Sequence, residues 1–321
     1  MVSASYEAYV AAVYSISSMI RVLGTILAGL LGLAFGSFLN VCLSRWPEGE
    51  SIVHPHSHCR SCGRALAWWE NVPIVSWLVL RGHCRTCDAS ISWRYPLVEL
   101  AVGGLWALET WHCFHPELLS TPNTIFDGFW FIFLHGVSQM VLFWMLLALA
   151  VLDAEHFWLP DWITWIGIAT GVLARLLFIA PLMHINDLTY RDLPEFDPLN
   201  LLSPWFSPLL AALIAAGLIL LIRWIYWLIR RREGVGLGDA KLMAMLAAWL
   251  GLEGALLSFV IGVVLGAVVA IVLLVSPSVR RDQERWAQTK LPLGTFLCVG
   301  GIVSALWGEP IIHAYLRWAG F

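Results

Sequence analysis

Glu233-Gly-Val-Gly-Leu-Gly-Asp239-Ala-Lys241 is the stretch on which the fold turns: an acidic residue closes a glycine-rich turn and leads directly into an apolar helix. Charge at the edge of an apolar layer is costly and usually serves ion passage, proton transfer or catalysis. A second carboxylate lies in similar surroundings. Asp153 ends the apolar run Leu149-Ala-Val-Leu-Asp153 and is followed by Ala-Glu-His-Phe-Trp-Leu-Pro160-Asp161. Two such residues invite the reading of an aspartyl dyad at a membrane surface.

Composition sets the class. Apolar residues make up 59% of the 321 and charged residues 13%, against about 25% charged in a soluble domain. The expected fold is an all-α polytopic membrane protein with about eight transmembrane helices, read at 20–44, 95–111, 128–152, 161–180, 205–229, 240–252, 255–275 and 291–308. The 240–252 span is too short to start at the lipid surface, so it must begin inside the protein or borrow from the turn before it. With the N-terminus outside, the internal segments are 45–94, 153–161, 230–241 and 277–290. These hold every Lys and Arg except Arg21, Arg175, Arg191 and Arg317, once Arg223 is grouped with the helix end it adjoins. That asymmetry puts Asp153 and Asp239 on the same, cytoplasmic side. The start of the chain does not read as a cleavable signal peptide, since no basic segment precedes the first apolar run. The net charge of −3 carries no information about nucleic acid, and no nucleic-acid partner is expected.

Three parts follow: 1–44, an N-terminal segment with the first helix; 45–94, a polar cytoplasmic domain; and 95–321, the remaining helices. The 45–94 segment is punctuated by Pro and Gly, has no helical period and is too small for much core, so it needs a staple. Cysteines supply one. Cys59-Arg-Ser-Cys62 and Cys84-Arg-Thr-Cys87 are two Cys-x2-Cys knuckles whose four thiolates suit a tetrahedral zinc cage. A cytoplasmic placement favours metal over disulfides, and redox dithiols are the alternative. A saturated cage of four thiolates has no vacancy for water, so the zinc is expected to be structural. His54, His56, His58 and His83 crowd the cage and read as polar loop residues. Cys42, Cys113 and Cys298 read as packing residues or inert thiols. No internal repeat is evident.

An aspartyl protease needs two carboxylates close enough to share one proton, because like charges at that distance do not both ionise cheaply. Asp153 and Asp239 lie far apart in the chain, so only helix packing brings them together. The glycines at 234, 236 and 238 favour close approach. Each residue also has a plain structural reading. Asp153 would be a solvated helix end, Asp239 a cap for the helix after it, and Asp161, which follows Pro160, a helix N-cap. Lys241 is expected to hold Asp239 or lipid headgroups.

The chain resembles the bacterial type IV prepilin peptidases, membrane aspartyl proteases of the Gly-x-Gly-Asp type. The resemblance runs from Gly36-Ser-Phe-Leu-Asn40-Val through Ser51-Ile-Val-His-Pro55 and the first cysteine pair. It continues through Asn71-Val-Pro-Ile-Val-Ser-Trp77, Leu80-Arg-Gly82 and the second pair to Ile91-Ser-Trp-Arg-Tyr-Pro-Leu-Val-Glu99, and resumes around Asp153–Asp161 and Gly234–Lys241. It implies that Asp153 and Asp239 are the catalytic pair and that 45–94 is the zinc-bearing domain. It further implies an enzyme of the bacterial inner membrane that removes the basic leader of prepilins and of type II secretion pseudopilins. Many members then methylate the new N-terminus with S-adenosylmethionine, which places that second activity in or around 45–94. One departure is Leu291-Pro-Leu-Gly-Thr-Phe-Leu297, where the family more often has Pro-Phe-Gly-Pro-Phe-Leu; it is expected to leave the dyad unaffected. A peptidase without methylation, and a non-catalytic zinc-ribbon scaffold for pilus or secretion assembly, are the competing readings.

Overall fold

Long apolar runs satisfy their own backbone only as helices when water is excluded, and helices account for nearly all regular structure in the computed structural model of this chain. It describes residues 2–114, 125–184, 206–232, 236–275 and 291–320. The outer loop at 181–204, the basic loop at 277–290, and Glu233 and Gly234 of the glycine turn fall wholly or mostly outside them. The elements are α1 (Val2–Arg45), a short α2 (Val75–Val79), α3 (Arg94–Cys113), α4 (Ile125–His156), α5 (Asp161–His184), α6 (Ser207–Arg230), α7 (Leu237–Val275) and α8 (Leu293–Ala319). Among the described residues, five of these helices contain a span long and apolar enough to cross a membrane. The chain is a multi-pass helical membrane protein.

Two compact units divide the chain, residues 1–148 and 149–321. In the first, α1 and α3 cross at glycines. A Cβ at Gly32 would lie 2.8 Å from the Cα of Gly103, and one at Gly36 would lie 2.7 Å from the Cα of Glu99. Small residues four apart let two backbones meet this closely where lipid gives no hydrophobic drive to association. The 45–94 segment contains a single 3₁₀ turn, Trp68–Asn71, besides α2. Side chains tie it to the end of α1: Arg45 donates to the carbonyls of Ser51 at 2.8 Å and Pro55 at 2.6 Å, and Arg60 donates to that of Ser44 at 2.7 Å. Arg64 grips Glu70 through both guanidinium nitrogens, at 3.0 and 2.7 Å. That grip, with the Ala67 N–H, holds the Glu70 carboxyl below the usual carboxylate range. The stabilisation it gives is present above the ordinary glutamate pKa and is lost as pH falls through the lowered one.

The second unit is built around α7, which packs against α5, α6 and α8. Its first half is buried on every side: Leu242, Met243, Met245, Leu246, Ala247 and Ala248 are all inaccessible. The short span at 240–252 therefore runs inside protein, and it borrows Leu237–Asp239 from the glycine turn. Two spans read separately, 240–252 and 255–275, form one run broken at Gly251, whose φ of 77° and ψ of 177° are not helical. Only glycine takes that conformation without strain. Trp249 lies against the glycine face of α5, where its indole N–H donates to the Gly167 carbonyl at 2.8 Å and a Cβ at Gly171 would meet its ring at 2.5 Å.

Gly32→Val should overpack the α1–α3 crossing. We expect a loss of about 1–3 kcal/mol, read as a lower unfolding temperature in detergent, with Gly104→Ala, which faces open space, close to wild type.

Candidate functional site

Buried carboxylates need hydrogen bonds to replace lost water, and helix N-termini offer unsatisfied N–H groups and a positive dipole end. In the second unit the end of α4 and the starts of α5, α7 and α8 come together, and both candidate aspartates use this supply. Gly236 immediately precedes α7, and its N–H donates to Asp239 Oδ2 at 3.0 Å. That is the return half of a capping box, with the acidic side chain at the third helical position. The capping role read for Asp239 is therefore real. It orients the carboxylate without spending both of its oxygens.

Asp153 sits in the last turns of α4 and is 7% exposed; Asp239 is 8% exposed. The first turn of α8 holds Asp153: the Thr295 N–H donates to its Oδ2 at 2.7 Å and the Thr295 hydroxyl lies 3.2 Å from the same oxygen. That hydroxyl also donates to the Ala150 carbonyl at 3.0 Å. Asp153 is thus not a solvated helix end. A Cβ at Gly294 would lie 2.8 Å from Asp153 Oδ2, so only glycine admits the carboxylate there. This corrects the expectation that the unusual 291–297 stretch leaves the pair unaffected, because two of its residues cradle Asp153. A small residue and a hydroxyl after Pro292, at the start of an apolar helix, were the available signal.

The two aspartates, read from distant parts of the chain, are brought together. They act on each other electrostatically, and both act on the buried thiol of Cys298, one turn further along α8. Leu159, in the link between α4 and α5, is wedged beside them. Its Cδ1 would lie 3.0 Å from a Cβ at Gly294 and 3.1 Å from one at Gly238, so both glycines make room for it. Asp161 stands apart as the exposed first residue of α5, and it takes Lys241 Nζ at 2.6 Å. Lys241 therefore ties α7 to α5 instead of holding Asp239. Two carboxylates gathered beside one another on separate helices are the groups that an aspartyl mechanism requires.

The cysteines form a second cluster, in the first unit. Ligand atoms of Cys59, Cys62, Cys84 and Cys87 all lie within 4.8 Å of one another, and the Cys59 and Cys87 sulfurs are 3.8 Å apart. Zinc–sulfur bonds of about 2.3 Å in a tetrahedron put sulfurs about 3.8 Å apart, so the cluster fits a zinc ion. Backbone N–H groups of Cys87 and Thr86 aim at Cys84 and bring its thiol down to about 6. Those of Cys62 and Ser61 lower Cys59 in the same way. These bonds favour the thiolates that a metal requires.

The two knuckles are an internal repeat, which sequence reading missed. His58-Cys-Arg-Ser-Cys and His83-Cys-Arg-Thr-Cys each carry one antiparallel bridge, His58 with Ala65 and His83 with Ser90. Each closes with a left-handed residue one past the knuckle, Gly63 or Asp88. Cys59 N–H donates to the Arg64 carbonyl at 2.9 Å, and Cys84 N–H to that of Ala89 at 2.8 Å. His58 and His83 occupy equivalent places, with Nδ1 3.0 Å and 2.8 Å from the carbonyl two residues earlier.

Comparison with known proteins agrees with the resemblance. The Bacterial Peptidase A24 N-terminal domain matches residues 30–113, and the Type IV leader peptidase family matches residues 140–271. A prepilin leader peptidase/N-methyltransferase of Stutzerimonas stutzeri is 32% identical, over 90% of this chain and 93% of its own length. Those of Pseudomonas aeruginosa and Xanthomonas campestris pv. campestris are 31% and 32% identical, over 91% and 93% of this chain. No solved structure gives a significant match.

Metal analysis of the purified protein should find one zinc per chain. Cys84→Ser should lose it and make the 45–94 segment sensitive to protease, as a strong chelator should in the wild type.

Proposed function

The chain belongs to the type IV leader peptidase family, and on that premise we propose that it cuts the leader from prepilins and pseudopilins and then methylates the new N-terminus. The relatives are named for both activities. The observation that carries the peptidase half is the pair Asp153 and Asp239, each mostly buried and each held through Oδ2 by a helix N-terminus.

One carboxylate is ionised and takes a proton from water as that water attacks the scissile carbonyl. The other is protonated and donates to the carbonyl oxygen, so charge does not build up there uncompensated. The tetrahedral intermediate collapses when the leaving amine takes the proton held by the first carboxylate and the second carboxylate takes back the proton it gave to the oxygen. Thr295 and Gly236 orient the two groups without supplying protons to the substrate. An apolar substrate helix enters the bilayer beside the enzyme while its basic leader stays in the cytosol, which puts the scissile bond at the interface.

This reading takes the eight spans, the outside N-terminus and an inner-membrane location with the aspartates facing the cytoplasm. Support comes from the distribution of Lys and Arg and from the gathering of Asp153 and Asp239 at one end of the second unit. It keeps 45–94 as a zinc-stapled domain in which Cys59, Cys62, Cys84 and Cys87 are ligands and the metal is structural. S-adenosylmethionine, when bound, supplies an activated methyl group.

Asp153→Asn and Asp239→Asn should each lower cleavage of a co-expressed prepilin by about 10²- to 10⁴-fold. Gly294→Ala should also slow cleavage, by displacing Asp153, with the protein still folded; Thr295→Val keeps the main-chain bond and should cost less. Intact mass of the product gives the readout: leader loss with about 14 Da added, the mass of one methylene, supports both activities. Cutting by either Asn variant at the wild-type rate would sink the dyad.

A further inference from the structure

A second group of metal-ligand atoms gathers in the first unit, at the end of α3. Glu109 and Cys113 stand four residues apart in its last turns, on one face of the helix, and His135 of α4 meets them there. A carboxylate oxygen, the Sγ and a ring nitrogen all lie within 4.8 Å of one another. Glu109 is 5% exposed, while Cys113 and His135 are partly exposed. The cysteine cage belongs to the segment that leads into the other end of α3. The 20 residues of that helix, at 1.5 Å each, put its two ends about 30 Å apart.

Backbone packing supports this meeting. The Trp106 indole N–H donates to the Met140 carbonyl at 3.0 Å, which fixes α4 against α3 just before the group. Gly136 adds no side chain at the crossing, and a Cβ there would lie 3.8 Å from Cys113 Sγ. Arg21 of α1, at the same end, is engaged by Trp111: its Nε donates to the Trp111 carbonyl at 2.8 Å and its guanidinium lies 3.8 Å from the ring centre. A hydrogen-bonded trio is the plain alternative, since Cys113 Sγ donates to Glu109 Oε1 at 2.9 Å. The chemistry of the set favours an ion. Thiolate, imidazole and carboxylate are the three side-chain ligand types of zinc, and its bonds of about 2.0–2.3 Å set neighbouring ligand atoms about 3.4–3.6 Å apart. Side chains already within 4.8 Å reach that spacing by small rotations.

We propose that Glu109, Cys113 and His135 bind a divalent metal ion of the zinc class, with a fourth position left for water. The ion sends the thiol proton to solvent and lies between thiolate and carboxylate. It ties the end of α3 to α4, and Cys113 is then a ligand instead of the inert thiol read from sequence. On the orientation proposed above, this end faces outside, away from the cage. Three mixed ligands hold an ion more weakly than four thiolates. The site therefore empties on dialysis while the cage keeps its zinc.

The test is cobalt(II) titration of the dialysed full chain in lipid nanodiscs, because a cobalt–thiolate bond gives a charge-transfer absorption that zinc lacks. The wild type should show that band, and added zinc should remove it. Cys113→Ser should abolish the band. Glu109→Gln should weaken cobalt binding at least tenfold, since loss of even an outer-shell partner costs about 10- to 100-fold. Both variants should keep the zinc of the cage and cut a co-expressed prepilin at the wild-type rate. No band in the wild type overturns the proposal and leaves a hydrogen-bonded trio. A band of equal strength in Cys113→Ser also overturns it, by placing the cobalt elsewhere. Should the variants misfold, maleimide labelling of the wild type decides, read by peptide mass: zinc should protect Cys113, and labelling of Cys113 unchanged by zinc overturns the assignment.

Discussion

The second unit depends on one constraint: a carboxylate placed in an apolar helix bundle must be given hydrogen bonds by the bundle itself. Helix starts are the natural source, because their first N–H groups have no partner within the helix. Asp239 uses the start of its own helix and Asp153 uses that of α8. The requirement shapes the neighbourhood. Gly294 has no side chain because Asp153 lies where one would go, and Gly238 leaves room for Leu159. α7 then needs close neighbours along its buried half, which the small faces of α5 and α6 provide through Gly167, Gly171, Ala212 and Ala215.

The first unit solves a different problem. Its polar segment has little apolar surface to bury, and order comes from four convergent thiols, from arginines donating to carbonyls, and from the Arg64–Glu70 pair. The duplicated knuckle gives two copies of one local fold, so each half of the cage is preshaped by its own backbone hydrogen bonds. Packing that segment on the ends of α1 and α3 encloses polar space. Its wall therefore mixes helix residues such as Asn40 and Glu99 with loop residues such as Arg64.

The capping bond of Asp239 bears on how structural and chemical roles coexist. A carboxylate has two oxygens, so one can cap a helix while the other remains for a substrate or a shared proton. Capping thus explains orientation and does not compete with the proposed chemistry. Asp161 shows the contrast: exposed, and matched by Lys241, it serves as a tie between helix ends.

Much was legible in the linear chain. Helical class and membrane residence follow from composition, since long apolar runs have no other way to satisfy their backbone. Both aspartates, the glycine turn and the four cysteines are local patterns that stand out before any packing is known. The duplicated His-Cys-Arg-x-Cys is equally local, a five-residue repeat that contains the Cys-x2-Cys spacing. Four things belonged to tertiary structure: the approach of Asp153 to Asp239, the hold of Gly294 and Thr295 on Asp153, the pairing of Lys241 with Asp161, and the cavity joining Asn40 to Glu99. Each is a contact between helices far apart in the chain. Sequence periodicity says which face of a helix is apolar, but not which neighbour it meets or at what height, and hydrogen bonds reach only about 3 Å. A shift of one helical turn, about 5.4 Å, would have broken every one of them with no change in the pattern.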